Sequence, residues 1–183
     1  MIRLIEFDNT LEQPRLVKCH KSADYRGELT RVFDEQLIGW KPKQVNLVYN
    51  RNNTLRGMHW QIWPKPVAKA VTCVCGSIQD VIVDLRPYSR TFMHKATVNL
   101  NYHYRYLLIV PIGFAHGFYA VSGSPTVVYG LSEEYDQQYE RSFNYADTLL
   151  NNVWSSQNVI VSDKDKHAPF IEDLKPGDLE FRG

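Results

Sequence analysis

An antiparallel β sandwich or barrel of the jelly-roll kind is the fold this sequence predicts, and three observations predict it. Apolar residues recur with period two rather than 3.6 through most of the 183 residues. The segments that carry the pattern are β-branched and aromatic. Turn-forming residues interrupt them at intervals of roughly ten residues, the spacing of an all-β domain. In chain order, the strands are expected at 44–49, 55–61, 68–75, 77–85, 94–100, 106–110, 117–121 and 126–131. The turns between them read Asn50-Arg51-Asn52-Asn53, Cys75-Gly76-Ser77, Arg86-Pro87-Tyr88-Ser89, Pro111-Ile112-Gly113 and Ser122-Gly123-Ser124-Pro125. Helix is scarce, with short pieces expected over 33–37 and within 145–153. With no repeat, low-complexity tract or Pro/Ser linker to divide it, the chain reads as a single domain over 1–183.

Composition excludes several function classes. Lys plus Arg number 21 and Asp plus Glu 20, so a net charge of +1 offers neither nucleic acid nor an anionic membrane a general attraction. Any anion site must be local. No stretch approaches eighteen uncharged apolar residues, and the opening Met1-Ile2-Arg3-Leu4-Ile5-Glu6-Phe7-Asp8 lacks an apolar signal core, so the expectation is a cytoplasmic protein without membrane contact. Cys19, Cys73 and Cys75 form an odd set, and a Cys-x-Cys pair on a strand points to opposite faces, which favours reduced thiols. Aromatic residues reach 13%, with 11 Tyr, a surplus that suggests rings lining a cleft. Tyr102, Tyr104 and Tyr106 are the unassigned rings where substrate or dimer contacts are expected first.

Polar residues of unusual kind sit inside the predicted strands. On Leu55-Arg56-Gly57-Met58-His59-Trp60-Gln61, alternation places Leu55, Gly57, His59 and Gln61 on one face and Arg56, Met58 and Trp60 on the other. If the first face is the interior, His59 and Gln61 look into it, while Arg56 reaches the same side only through a twist or bulge at Gly57. A strand histidine is more often a hydrogen-bonded core residue than a catalyst. A second histidine, His116, follows Pro111-Ile112-Gly113-Phe114-Ala115 beside glycines that permit close approach. Two histidines on two strands suit metal binding or acid–base chemistry. A metal-binding cupin carries His-x-His and a downstream Glu on its first metal strand, where this chain has His59-Trp60-Gln61, so no metal is expected.

These and further residues resemble the dTDP-4-dehydrorhamnose 3,5-epimerase family and its nucleotide-sugar epimerase relatives, metal-free members of the cupin superfamily. The resemblance runs through Asp24-Tyr25-Arg26-Gly27, Gln44-Val45-Asn46, Arg56 to Gln61, Pro64, Lys69, Gly76 and Asp80 to Arg86. It continues through Ile109 to Phe118, Tyr135, Glu140-Arg141, Asp147, Trp154 and Ser162-Asp163-Lys164-Asp165. It implies an all-β cupin barrel, a double-stranded β-helix with a few short helices. It also implies a cofactor-independent isomerase that inverts C3 and C5 of a nucleotide-diphosphate-linked 4-keto-6-deoxy sugar, in deoxysugar and cell-surface polysaccharide biosynthesis, and a homodimer formed by strand exchange.

The chemistry explains the residue types. Carbons beside a ketone carry acidic C–H bonds, so a base removes a proton if the enolate is stabilised, and an acid on the opposite face returns one with inversion. By resemblance His59 is the base, Asp165 orients its imidazole, Tyr135 is the acid and Lys69 stabilises the oxyanion at O4. Arg26, Arg56 and His116 would meet the diphosphate, with Gln44 and Asn46 as polar contacts. Ordinary roles compete. Asp165 lies in Ser162-Asp163-Lys164-Asp165-Lys166, which composition alone reads as a solvated surface run. Asp24 with Arg26, and Asp84 with Arg86, read equally well as structural pairs.

Some positions depart from the family pattern. Glu28-Leu29-Thr30-Arg31-Val32-Phe33 replaces Phe-Phe-x-Glu-x-Phe, so Arg31 stands where a glutamate is usual. Val67 replaces a glutamine, Val48 and Asn50 replace serines, and Ser89-Arg90-Thr91-Phe92-Met93 replaces Ser-Pro-Thr-Phe-Gly. Residues at the reacting end are retained while those at the binding end drift. Three alternatives follow: a C3-only epimerase, a 3,4-ketoisomerase on a related nucleotide sugar, or a non-catalytic sugar-binding cupin.

Overall fold

A computed structural model describes residues 12–182. It contains ten strands: β1 (Arg15–Lys18), β2 (His20–Asp24), β3 (Gly27–Arg31), β4 (Gln44–Tyr49), β5 (Leu55–Gln61), β6 (Lys69–Asp84), β7 (Lys95–Asn101), β8 (Tyr106–Val110), β9 (Phe114–Leu131) and β10 (Glu140–Ser142). Two one-turn helices, α1 (Glu35–Ile38) and α2 (Asp163–Lys166), accompany them. Every strand pairing is antiparallel.

The two longest strands organise the rest. β6 and β9 pair from Lys69↔Leu131 to Asp84↔Phe114, and their register shifts between Cys73 and Ile78. On one side of that bend the order is β1-β8-β6-β9-β4, and on the other it is β7-β6-β9-β5-β10. The halves of the two strands thus belong to two opposed sheets, the jelly-roll arrangement. Gly76, at φ 70°, makes the bend possible: a Cβ there would stand 2.5 Å from the Ser122 carbonyl oxygen. The turns expected at Cys75-Gly76-Ser77 and Ser122-Gly123-Ser124-Pro125 are therefore bends within continuous strands. A bulge keeps the ladder going where a hairpin would end it.

Alternation along each strand sorts the side chains as period two requires. Val71, Cys73, Ile78, Ile82, Val98, Leu108, Phe114, Phe118 and Val127 fill the space between the sheets. On the outer face of one sheet, Met58, Trp60, Val81, Val83 and Ala115 are covered by Phe143, Leu150 and Phe181 from the C-terminal segment. On the outer face of the other, Ala70, Leu107 and Ile109 are covered by Ile38 of α1 and by Cys19. The sheets thus have cores on three levels, and the long C-terminal stretch after β10 is held by packing more than by regular structure.

The strands at 44–49, 55–61 and 106–110 form as expected, and 94–100 is shifted by one residue. β1, β2, β3 and β10 were absent from the sequence prediction because they are three to five residues long and carry too few apolar positions to show a period. The helix expected at 33–37 forms over Glu35–Ile38, capped by Asp34, whose side chain accepts from the Gln36 amide. Within 145–153 the helix is the 3₁₀ turn Thr148–Leu150, capped by Asp147.

Candidate active site

A cavity of about 1000 Å³ opens between the sheets at the end where β4, β5 and the C-terminal segment meet. His59 of β5, Lys69 of β6, His116 of β9, and Gln44 and Asn46 of β4 all line it, together with Arg56, Tyr135 and Asp165. Eight of the nine residues singled out from the sequence therefore share one cavity. Arg26 is the exception. It lies in the turn between β2 and β3, exposed and paired with Asp24 at 2.6 Å, so within this chain it braces a hairpin rather than contacting the cavity.

The first polar unit joins residues 106 positions apart. His59 Nε2 and Asp165 Oδ1 lie 2.7 Å from one another. Reading 162–166 as a solvated run fails for Asp165, which is 3% exposed. Hydrogen bonds explain its inward turn. Ile160 donates to the Asn53 carbonyl and Leu55 donates to the Ile160 carbonyl, which fastens the segment ahead of α2 to the start of β5. Ser162 then caps α2 by accepting from the Asp165 amide, and at the far end Asn144 donates to the Lys166 and Ala168 carbonyls. Burial raises the affinity of the Asp165 carboxylate for a proton. The His59 hydrogen bond and charge, with help from the Gly57 amide and Ser162, outweigh that effect and hold it below its ordinary value.

Strand β5 carries the bulge that Arg56 requires. Its register against β9 shifts between Arg56 and His59, where Gly57 adopts φ 124°. The Gly57 and Gly117 backbones approach so closely that a Cβ on Gly57 would lie 2.5 Å from the Gly117 Cα. The slip breaks strict alternation, so Arg56 and His59 both reach the cavity while Met58 stays in the outer core and Trp60, packed in that core, also borders the cavity. Asn50, one of the residues that depart from the family pattern, is buried and accepts from Arg56 Nε at 2.9 Å.

Lys69 projects between the sheets and donates to the His59 carbonyl at 3.0 Å. Protein surrounds it although part of its surface meets the cavity. Burial pulls its ammonium down from 10.5 to about 8, against the opposing pull of Glu140 and Asp80. It therefore remains charged at neutral pH in a setting where an ammonium is weakly hydrated. His116 sits deeper, 6% exposed, with Nε2 3.0 Å from Asp80 Oδ2. Burial pushes its imidazole below the ordinary value, with Asp80 pulling the other way. Its Nε2 is thus already committed to a protein carboxylate.

Tyr135 stands on the loop after β9, and two glutamines hold that loop. Gln44 Oε1 accepts from the Tyr135 amide and Gln61 Oε1 accepts from the Asp136 amide, both at 2.9 Å. Gln44 also donates to Asn46, so its amide has an architectural duty here beside any contact with a ligand. The Tyr135 hydroxyl donates to Glu140 at 2.8 Å. Desolvation and the adjacent Glu140 push the phenol up to about 12. Glu140 and Lys164, which also line the cavity and pair with one another, were not among the predicted site residues. The signal was present: each lies inside a matched stretch, Glu140-Arg141 and Ser162 to Asp165.

Tyr102 and Tyr104 lie in the turn joining β7 to β8 and do not line this cavity, and neither does Tyr106. The rings at the cavity are Tyr49, Trp60, Phe118, Tyr129 and Tyr135. Among the described residues no cluster of His, Cys, Asp and Glu has the makings of a metal site, and no helix is long and apolar enough to cross a membrane.

A cavity that holds a histidine–carboxylate pair, a desolvated lysine and a tyrosine suits proton removal beside a carbonyl, with stabilisation of the resulting oxyanion. Comparison with known proteins points to the same chemistry. The family model for dTDP-4-dehydrorhamnose 3,5-epimerase matches residues 8–173. The dTDP-4-dehydrorhamnose 3,5-epimerase of Shigella flexneri is 36% identical over 149 residues, 78% of this chain and 82% of its own. The crystal structure of dTDP-6-deoxy-D-glucose-3,5-epimerase from Legionella pneumophila, in complex with dTDP-4-keto-L-rhamnose, superposes with a TM-score of 0.86 at 28% identity, covering 93% of this chain and 94% of that one. A 3'-monoepimerase from Streptomyces bikiniensis in complex with dTDP-quinovose superposes with a TM-score of 0.80 at 28% identity, covering 87% and 84%. The jelly-roll topology is shared along nearly the whole length, and by the extent of the sequence match this chain belongs to the dTDP-4-dehydrorhamnose 3,5-epimerase family.

Proposed function

We propose that this protein inverts C3 and C5 of a dTDP-linked 4-keto-6-deoxy sugar by acid–base chemistry carried on its own side chains. The observation that carries the proposal is the His59–Asp165 pair opening into a cavity that Lys69 and Tyr135 also line. In this reading His59 takes the proton from the carbon beside the ketone, and Asp165 fixes the imidazole orientation and favours the imidazolium that forms. The ammonium of Lys69 meets the negative charge that develops on O4. Tyr135 then supplies a proton to the opposite face. A phenol held near 12 is a weak acid, suited to protonating a carbanion-like carbon without ionising early. Arg56, held by Asn50, faces the diphosphate.

Incubation with dTDP-4-keto-6-deoxyglucose in D₂O tests this reading. Deuterium is expected at C3 and C5 of the product. Absence of label from this and related 4-keto sugars sinks the proposal. A second reading, inversion at C3 alone, is supported by Val48 and Val67, apolar cavity residues at positions where the family pattern is polar, and by the likeness to a 3'-monoepimerase. Label at C3 only decides for it.

A homodimer is part of the proposal. Among the described residues β4 pairs only with β9, which leaves its other edge without a described partner, and Val45, Leu47 and Tyr49 are exposed. The β2–β3 hairpin pairs with no other strand among the described residues and exposes Tyr25 and Leu29. Pairing of two copies through these surfaces supports a role for Arg26 at a neighbouring cavity. Sedimentation gives the oligomeric state, and Arg26→Ala is expected to raise KM if that role holds. The three cysteines are free, which supports a reducing, cytoplasmic setting.

A further inference from the structure

Glu140 and Lys164 form a chain of contacts with Tyr135 on the cavity wall. The Tyr135 hydroxyl donates to Glu140 Oε2, and the same oxygen accepts from the Lys164 ammonium. The Glu140 side chain is 12% exposed, so its carboxylate is held in a poorly hydrated wall with a cation on one side and a phenol on the other. The titratable groups that face it are Lys164 from α2, His59 from β5 and Lys69 from β6. Lys164 is also the sequence neighbour of Asp165, which holds His59. Consecutive residues on a helical turn point about 100° apart, so α2 can send one side chain to β5 and the other to β10.

We propose that Lys164, through its ion pair with Glu140, is a positioning residue for Tyr135, so that the single turn Asp163–Lys166 sets the geometry of both proton-transfer groups. The inference rests on the acid and base roles given above. In the second half of the reaction, the Tyr135 O–H turns from Glu140 to the sugar, and the enolate electron pair becomes the new C–H bond as that O–H bond breaks, leaving a phenolate. Solvent later returns a proton to that oxygen and removes the one taken by His59. Lys164 fixes the carboxylate that fixes the phenol, and its charge offsets that of Glu140 while the phenolate exists. When Tyr135 is misplaced, His59 returns a solvent-exchanged proton to the face it left, and unreacted sugar gains deuterium without inversion.

The test compares deuterium in recovered substrate with epimerised product, in D₂O, for Lys164→Met and Glu140→Ala. The ratio is expected to rise about tenfold in both variants, and Lys164→Arg is expected to return it to within about threefold of the parent. An unchanged ratio in either variant overturns the proposal. So does a parallel loss of both signals, which is the result of general damage to α2 and the His59–Asp165 pair. Failure of the underlying acid–base reading looks different: the unaltered enzyme itself then incorporates no deuterium.

Discussion

Two histidine–carboxylate pairs sit side by side in this protein, and they differ in nearly everything but chemistry. His59 on β5 and His116 on β9 are register partners across the ladder. The side chain of His59 is 24% exposed and opens into the cavity, and its carboxylate comes from a one-turn helix far along the chain. The side chain of His116 is 7% exposed, and its carboxylate, Asp80, comes from the adjoining strand β6 and is fully buried. Burial depresses the His116 imidazole, which suits a neutral donor with a fixed orientation. The lesson is that a His–Asp contact by itself assigns no role. Exposure to the cavity separates the more open pair, fit to exchange protons with a ligand, from the more buried pair, which joins the neighbouring strands β6 and β9.

That contrast breaks if substitutions at the two pairs have similar effects. The largest effect is expected for His59→Asn, which should lower kcat by about 10³-fold while thermal unfolding stays near that of the parent. A kcat within tenfold of the parent would remove His59 from the chemistry. Asp165→Asn should follow with a loss of about 10²-fold, because the imidazole keeps a partner but loses its charge. Asp80→Asn should act mainly on stability, at a cost of about 2–3 kcal/mol read from denaturant unfolding, because it weakens a charge-assisted hydrogen bond in a buried site. If it lowered kcat as far as Asp165→Asn with no change in unfolding, the two pairs would be functionally alike.

The smallest expected effect is one of pH. Lys69, whose value lies near 8, is charged at neutral pH and loses its proton as the pH rises through about 8, so oxyanion stabilisation and kcat should fall on the alkaline side. Tyr135, pushed up to about 12, titrates too high to produce that limb. Lys69→Arg should move the limb out of the accessible range, since a guanidinium stays charged throughout. If the limb stays where it was, Lys69 is not its origin.

A third buried pair shows how little sequence separation says about role. Asp84 and Arg86 are two residues apart, and two side-chain hydrogen bonds at 2.8 Å join them. Ser89 and Thr91 donate to the same carboxylate at 2.6 and 2.7 Å. Of the two roles open to this pair from the sequence, the structure shows bracing of the turn after β6. Ser89 and Thr91 belong to a stretch that departs from the family pattern, and they still serve this turn.

Period-two patterning and the punctuation between strands were enough to read the fold class and the bounds of β4, β5 and β8 directly, because side-chain alternation follows from strand geometry alone. Residue order and spacing were enough to read the family. Three other features depended on distant parts of the chain. β6 and β9 run through bends at Gly76 and Gly123 instead of turning, because neighbouring strands extend the ladder on both sides. Arg56 and His59 meet on one side of β5 because Gly57 and Gly117 come close enough to require a bulge. Asp165 leaves an apparently solvated run and becomes buried because the segment around it is fastened by hydrogen bonds of Ile160 with Asn53 and Leu55 at the start of β5 and by Asn144 after β10. Local patterns reveal which face a side chain prefers, but a residue's environment is the sum of contacts made across a hundred positions, and those contacts exist only once the chain has folded.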